Sequence, residues 1–122
     1  MLFQIGELAT AVQQRLGVVA VVFDNGQYGN VRLQQDLHYG GRHIAADLVN
    51  PDFVRLAEAY GADATRAESP DALERALATA LERAHKSHCP ALIHVPCAMM
   101  PSPWEMILMP RVRGSGSSSS WA

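Results

Sequence analysis

Two cysteines, Cys89 and Cys97, are all that this chain of 122 residues carries, too few for a disulfide framework. If the stretch between them is extended, eight steps of about 3.3 Å hold the thiols about 26 Å apart. That is far beyond the roughly 7 Å across which a bridge closes. Free thiols and a cytoplasmic setting are therefore expected. Charge is sparse too: ten Lys and Arg stand against twelve Asp and Glu, for a net charge of −2. Such a balance offers no electrostatic case for nucleic acid or an anionic membrane. Long apolar runs are missing, since the longest, Val18–Phe23, has six residues where a membrane-spanning helix takes about 20. Met1–Glu7 has no basic residue ahead of its apolar ones and no small-residue cleavage site, which argues against a signal peptide. What the chain does have is aliphatic content. It is 48% apolar, enough for the core of one domain of common size and too much for disorder over most of its length.

Periodicity organises that content. Ile5, Leu8, Ala9, Val12 and Leu16 mark one face of a helix over 3–16, with Gly17 as its stop. Val18–Phe23 is β-branched and apolar on both faces, the pattern of a strand buried on both sides in a parallel sheet. Residues 30–40 are polar and compatible with a helix, and Gly40-Gly41-Arg42-His43 reads as a flexible loop. Asn50-Pro51-Asp52 is a helix start, with an N-cap oxygen, a proline at the first position and an acid in the first turn. Phe53, Leu56, Ala57 and Tyr60 then share a face as far as Gly61. A short strand fits Ala64–Ala67. Ser69-Pro70-Asp71 repeats the start signal and opens a helix with the face Leu73, Ala76, Leu77, Ala80, Leu81 and Ala84. Ala91–Val95 is a further short strand. The order helix, strand, two helices, strand, helix, strand predicts an α/β fold: a three-layer parallel sheet with helices on both faces and right-handed crossovers. Beyond Pro96, prolines at 101, 103 and 110 interrupt an apolar arm containing Trp104 and Met106–Met109. Gly114–Ser120 has linker composition. The expected divisions are thus a domain at 1–98, an apolar arm at 99–113 and a Gly/Ser-rich tail at 114–122.

The candidate chemistry lies where the first strand meets Asp24-Asn25-Gly26-Gln27-Tyr28-Gly29-Asn30. Ligands of open parallel sheets bind just past the carboxyl ends of strands. The Asn25 amide oxygen and a bent backbone at Gly26–Gly29 would offer oxygens to a hard cation such as Mg²⁺, which commonly shares its site with phosphate. The N–H groups of Tyr28, Gly29 and Asn30 would face that phosphate if a helix begins there. On local chemistry alone the same residues also make an ordinary turn. Elsewhere, His85, His88, Cys89, His94 and Cys97 match no zinc spacing and read as helix-end and strand residues. Arg32 reads as a solvated helix residue, and His38 and His43 as residues flanking a solvated loop.

The stretch from Leu2-Phe3 through Glu7-Leu8-Ala9-Thr10-Ala11, the run Val18–Phe23 and Asp24–Arg32 resembles the thiamine-diphosphate (ThDP)-dependent enzymes. More narrowly it is similar to the C-terminal cofactor domain of the acetolactate synthase and benzoylformate decarboxylase group. Gly40-Gly41-Arg42, Asp47–Phe53, Leu56-Ala57 and Met100-Pro-Ser-Pro-Trp104 extend the resemblance over residues 1 to about 113. It implies ThDP and Mg²⁺ as cofactors, Asn25 as a side-chain metal ligand, Gln27 as a carbonyl donor, and Asp24 as support for the turn. The implied chemistry is decarboxylation of a 2-oxo acid, with or without transfer of the acyl unit. The family's Gly-Asp-Gly is not in the sequence. The resemblance puts that motif and its strand just before Met1 and the activating glutamate in a separate N-terminal domain. No residue of the chain is therefore assigned a catalytic role, and the fragment is expected to be inactive alone. The alternative expectation is a non-catalytic module, a homo-oligomer joined through an exposed sheet edge and the C-terminal arm.

Overall fold

The computed structural model describes residues 4–98. Its elements are α1 (Glu7–Gln13), β1 (Val19–Asp24), α2 (Gly29–His38), α3 (Phe53–Ala59), β2 (Asp63–Arg66), α4 (Pro70–Ser87) and β3 (Ala91–Pro96), in the order the periodicity predicts. The strands form one parallel sheet in the order β1-β3-β2. The two apolar clusters lie on opposite faces of it. On one face Leu8 of α1 and Phe53 and Ala57 of α3 pack with Val22 and Leu92. On the other, Ala80 of α4 packs with Ala67, Ala91 and Ile93, flanked by Val19 and Val21. Alternation along each strand sends successive side chains to the two clusters, which makes the three-layer arrangement a direct consequence of sequence. The arm at 99–113 and the tail at 114–122 lie outside the described residues, as do Met1, Leu2 and Phe3 of the resemblance.

Helix starts follow local chemistry. The Ser69 hydroxyl accepts the Ala72 N–H at 3.1 Å and Pro70 opens α4. At α3 the expected start shifts by two residues: Asp52 is the N-cap, its carboxylate accepting the N–H groups of Val54 and Arg55 at 3.0 and 3.1 Å. Asn50 lies two residues ahead of that cap, and its side-chain N–H donates to Asp24 Oδ1, 2.7 Å away.

Three further expectations give way to tertiary context. The strand buried on both faces is β3, where Ala91 through His94 are all buried, and not β1. In β1, Phe23 stays 61% exposed; among the described residues this strand pairs only with β3, so one edge lacks a neighbour. The first helix ends at Gln13 rather than Leu16, which is exposed; the chain turns at Arg15, whose φ is +53°. Gly17 therefore is not a helix stop. A Cβ on it would lie 2.2 Å from the Ala84 carbonyl oxygen of α4, so the bare backbone is what lets the start of β1 approach that helix.

Candidate functional site

β1 ends by presenting Asp24 half-buried at the carboxyl edge of the sheet. One oxygen, Oδ1, accepts the Gly26 N–H at 2.9 Å and the Asn50 Nδ2–H at 2.7 Å. The other, Oδ2, lies 3.3 Å from His94 Nε2. His94, on β3, is the one buried polar or charged side chain among the described residues, and its ring packs edge-on against Phe53 with centroids 5.1 Å apart. Burial pushes the Asp24 carboxyl up, but the Gly26 N–H, the Asn50 amide and His94 together outweigh it and leave the pKa below the ordinary value. Asp24 is thus a fixed anion that closes the turn, a role the sequence assigned to it only through the resemblance.

Beyond Asp24 the chain reverses at Gly26, whose φ of +66° favours glycine. Gln27 then forms an isolated antiparallel bridge with Asp47, held by Tyr28 N–H to Ala46 carbonyl and Leu48 N–H to Gly26 carbonyl, both 2.8 Å. In such a pair the bridged residue's own N–H and C=O point away from the partner strand. The Gln27 N–H accordingly reaches Asn25 Oδ1 at 3.3 Å, and no backbone amide of the described residues donates to the Gln27 carbonyl. The N–H and C=O of one extended residue leave the same edge, so this carbonyl and the Asn25 side-chain oxygen share one side of the turn. Two neutral oxygens so placed suit a hard divalent cation, which takes oxygen ligands and fills its remaining positions with water or phosphate.

α2 begins directly after this turn. No side chain caps its N-terminus, and among the described residues no backbone carbonyl accepts the N–H groups of Gly29 and Asn30. Free amides and the positive end of the helix dipole together favour an anion there. One predicted donor drops out. The Tyr28 N–H is taken by Ala46, so it does not face a phosphate.

The remaining sequence candidates disperse. Arg32 is paired with Asp47, and His43 Nε2 lies 2.6 Å from Asp36 Oδ1. His38 sits in the last turn of α2. His85 lies in the last turn of α4, and His88 and Cys89 follow that helix, whereas His94 and Cys97 belong to the other end of β3. Among the described residues no three His, Cys, Asp or Glu side chains could share a metal. Sequence reasoning missed Asn50 and His94. The first was read as a helix cap and the second as a strand residue, since nothing local marks a partner 26 or 70 residues away. A cleft of about 350 Å³ lies over this cluster, lined by Asp24, Gly26, Asn50, Asp52, Arg66 and His94. A slightly larger groove, about 390 Å³ between β2 and α4, contains none of the turn residues. The candidate site is the turn at the strand tips, and of its residues Asp24 and Gly26 line the smaller cleft.

Fold and loop define a parallel α/β domain with a cation- and anion-compatible turn at the carboxyl end of a strand. The sequence identifies its kind. Residues 1–95 match the family described as thiamine pyrophosphate enzyme, C-terminal TPP binding domain, and the chain belongs to that family. It is 37% identical over 118 residues to the acetolactate synthase isozyme 3 large subunit of Escherichia coli (strain K12), covering 96% of this chain and 20% of the relative. It is 38% identical over 95 residues to the acetolactate synthase of Bacillus subtilis (strain 168), covering 78% of this chain and 16% of the relative. Among solved structures, the benzoylformate decarboxylase from Polynucleobacter necessarius aligns with a TM-score of 0.73 at 30% identity, over 83% of this chain and 18% of that one. The chain therefore spans about a fifth of the length of the curated relatives it matches.

Proposed function

We propose that this chain is the cofactor-holding part of a 2-oxo-acid decarboxylase or carboligase of the acetolactate synthase kind. In this reading the Asn25 side-chain oxygen and the Gln27 carbonyl hold Mg²⁺, and the Gly29 and Asn30 amides hold the diphosphate that the cation also neutralises. When bound, ThDP supplies the carbanion chemistry, while the protein binds, orients and tunes it. The observation that carries the reading is the pairing of the Asn25 and Gln27 oxygens, on one side of the turn, with two unpartnered helix amides two to five residues further on at one strand tip. The chain alone is expected to turn over neither pyruvate nor benzoylformate. It contains no Gly-Asp-Gly carboxylate to complete the cation's protein ligands, and the resemblance places the activating glutamate in another domain.

The test is a titration of the ¹⁵N-labelled chain with ThDP in the presence of Mg²⁺. Shifts of the Gly29 and Asn30 amide resonances are expected, and Asn25→Ala should abolish them. No shift at these amides, or the same shift in Asn25→Ala, overturns the reading.

A specific observation favours a second reading, a self-associating module. α2 buries none of its residues, and Phe23 and Leu37 are 61% and 65% exposed. Large side chains left open beside a strand edge invite a second copy. Light scattering after size exclusion should then show a concentration-dependent dimer, and a monomer at millimolar concentration removes this alternative.

A further inference from the structure

The turn that carries Asn25 and Gln27 is built on a polar cluster that no part of the proposed cofactor chemistry uses directly. Asp24 joins three separate stretches of chain: Gly26 within its own turn, Asn50 ahead of α3, and His94 on the central strand. The segment that supplies Asn50 also supplies the backbone staple, since Ala46 and Leu48 bond Tyr28 and Gly26, and Ala46 is itself 1% exposed. Asn50 therefore acts as a second fastening between the same two segments, placed beside the backbone one. His94 sits beneath both. Its imidazole is wedged between Asp24 and the Phe53 ring, and its side chain is 9% exposed. A polar ring in the middle of a sheet otherwise lined by Leu92 and Ile93 is costly to bury unless it has a partner, and that partner is the carboxylate that closes the turn.

We infer that His94 and Asn50 are positioning residues: through the Asp24 carboxylate they fix the Asn25–Gln27 turn with its two oxygens on one side. The inference rests on the proposed cation-diphosphate reading for its purpose, but its geometry can be tested without the cofactor. Removing the His94 nitrogens frees one Asp24 oxygen, and removing the Asn50 amide leaves the turn joined to the 46–50 segment by the Tyr28–Ala46 and Gly26–Leu48 backbone bonds alone. Either change lets the Gly26 N–H open independently of the sheet.

Backbone amide hydrogen exchange of the full chain without cofactor reads this directly. In His94→Phe, which keeps an aromatic ring beside Phe53, protection of the Gly26 and Leu48 amides should fall about tenfold or more beyond any loss at Leu92 and Ile93, the scale of one hydrogen bond to a charged group. His94→Gln, which restores an N–H donor, should recover most of that protection. Asn50→Ala lies off the core and should give the same local loss, so it decides the matter if His94→Phe does not fold. A merely structural role predicts that Gly26 and Leu48 lose protection in the same proportion as Leu92 and Ile93, and that Gln is no better than Phe. Either result overturns the inference. The ThDP–Mg²⁺ titration is a separate arm: a wild-type chain without the Gly29 and Asn30 shifts sinks the cofactor reading, while the exchange pattern still decides how the turn is held.

Discussion

Gly17→Ala gives a test of sign as well as size. In the wild-type fold a Cβ at this position would stand 2.2 Å from the Ala84 carbonyl oxygen, 2.9 Å from its carbonyl carbon and 3.4 Å from its Cα. Carbon–oxygen contacts of this type close to about 3.3 Å, so the two segments must part by about 1 Å. All three obstructing atoms are backbone, which no rotamer change relieves. Ala84 is 3% exposed and its carbonyl accepts the His88 N–H at 3.1 Å, the bond that closes α4. Moving it therefore disturbs the helix end and the packing of the α4 face together. Forcing an extra methyl into such a space costs about 1–3 kcal/mol. At about 4–8 °C per kcal/mol for a domain of this size, Tm should fall by roughly 5–20 °C. If Gly17 merely ended a helix, the outcome would reverse. Its φ is not in the left-handed region, so alanine would raise stability by about 0.4–1 kcal/mol through the unfolded chain. Thermal melts followed by circular dichroism decide it, with Gly6→Ala as the control, since a Cβ there meets nothing within 4 Å. A Gly17→Ala variant as stable as the wild type would refute the close-approach reasoning.

Other perturbations test separate parts of the structure. Leu92→Ala, at a fully buried position on the central strand, should cost about 2–5 kcal/mol in urea unfolding, a large share of the total stability of a small domain. Ser69→Ala removes the acceptor for the Ala72 N–H and should lower the urea midpoint by the equivalent of about 1 kcal/mol without changing the slope. Acid should destabilise the fold through Asp24 and Asp52. Burial raises the Asp24 carboxyl but its hydrogen bonds outweigh it, and the Arg55 and Val54 N–H groups lower that of Asp52. Both lie below the ordinary value of 3.8, so in this range the folded chain binds fewer protons than the unfolded one. Their contribution is present above that value and disappears as pH falls through the lowered pKa values. Urea midpoints measured from pH 6 down to pH 3 should drop less steeply in the Asp24→Asn, Asp52→Asn double variant.

The elements that sequence reading placed well are those whose causes are local. The Ser69 cap, Pro70 and the apolar face of α4 sit within a few residues of one another, as do Asp24, Asn25 and Gly26 in the turn. Readings failed where the cause was remote. Val18–Phe23 is the more uniformly apolar run, since Ala91–Val95 contains His94, yet the strand order puts β3 in the middle. Asn50 has the chemistry of an N-cap, but a carboxylate 26 residues earlier holds it, and Asp52 takes its place. Gly17 has the composition of a stop, yet its role is set by Ala84 on a helix that begins more than fifty residues later. At the candidate site, the turn at Asn25–Gln27 and the helix start at Gly29 were legible because turn chemistry is short-range. The loss of the Tyr28 amide to Ala46 was not legible, because it depends on a bridge across a long loop.

The two sides of the turn are held by unlike forces, and that bears on how a ligand would be met. On the strand side, Asp24 is tied to the buried sheet through His94 and to the 46–50 segment through Asn50. On the helix side, α2 contributes nothing to either apolar cluster. Its attachments are polar and exposed: Arg32 with Asp47, Asp36 with His43, and the Gln35 amide bonded at both ends to the Ile44 backbone. Surface pairs of this kind contribute about 0–1 kcal/mol each, and elements with few buried contacts open at low free energy. The Asn25 and Gln27 oxygens thus belong to the part tied to the sheet, and the Gly29 and Asn30 amides to the element held by surface contacts. A diphosphate bridging a cation on the first to the amides on the second would supply the tether that α2 otherwise lacks, so ligand binding should protect the α2 amides from exchange far more than those of β3.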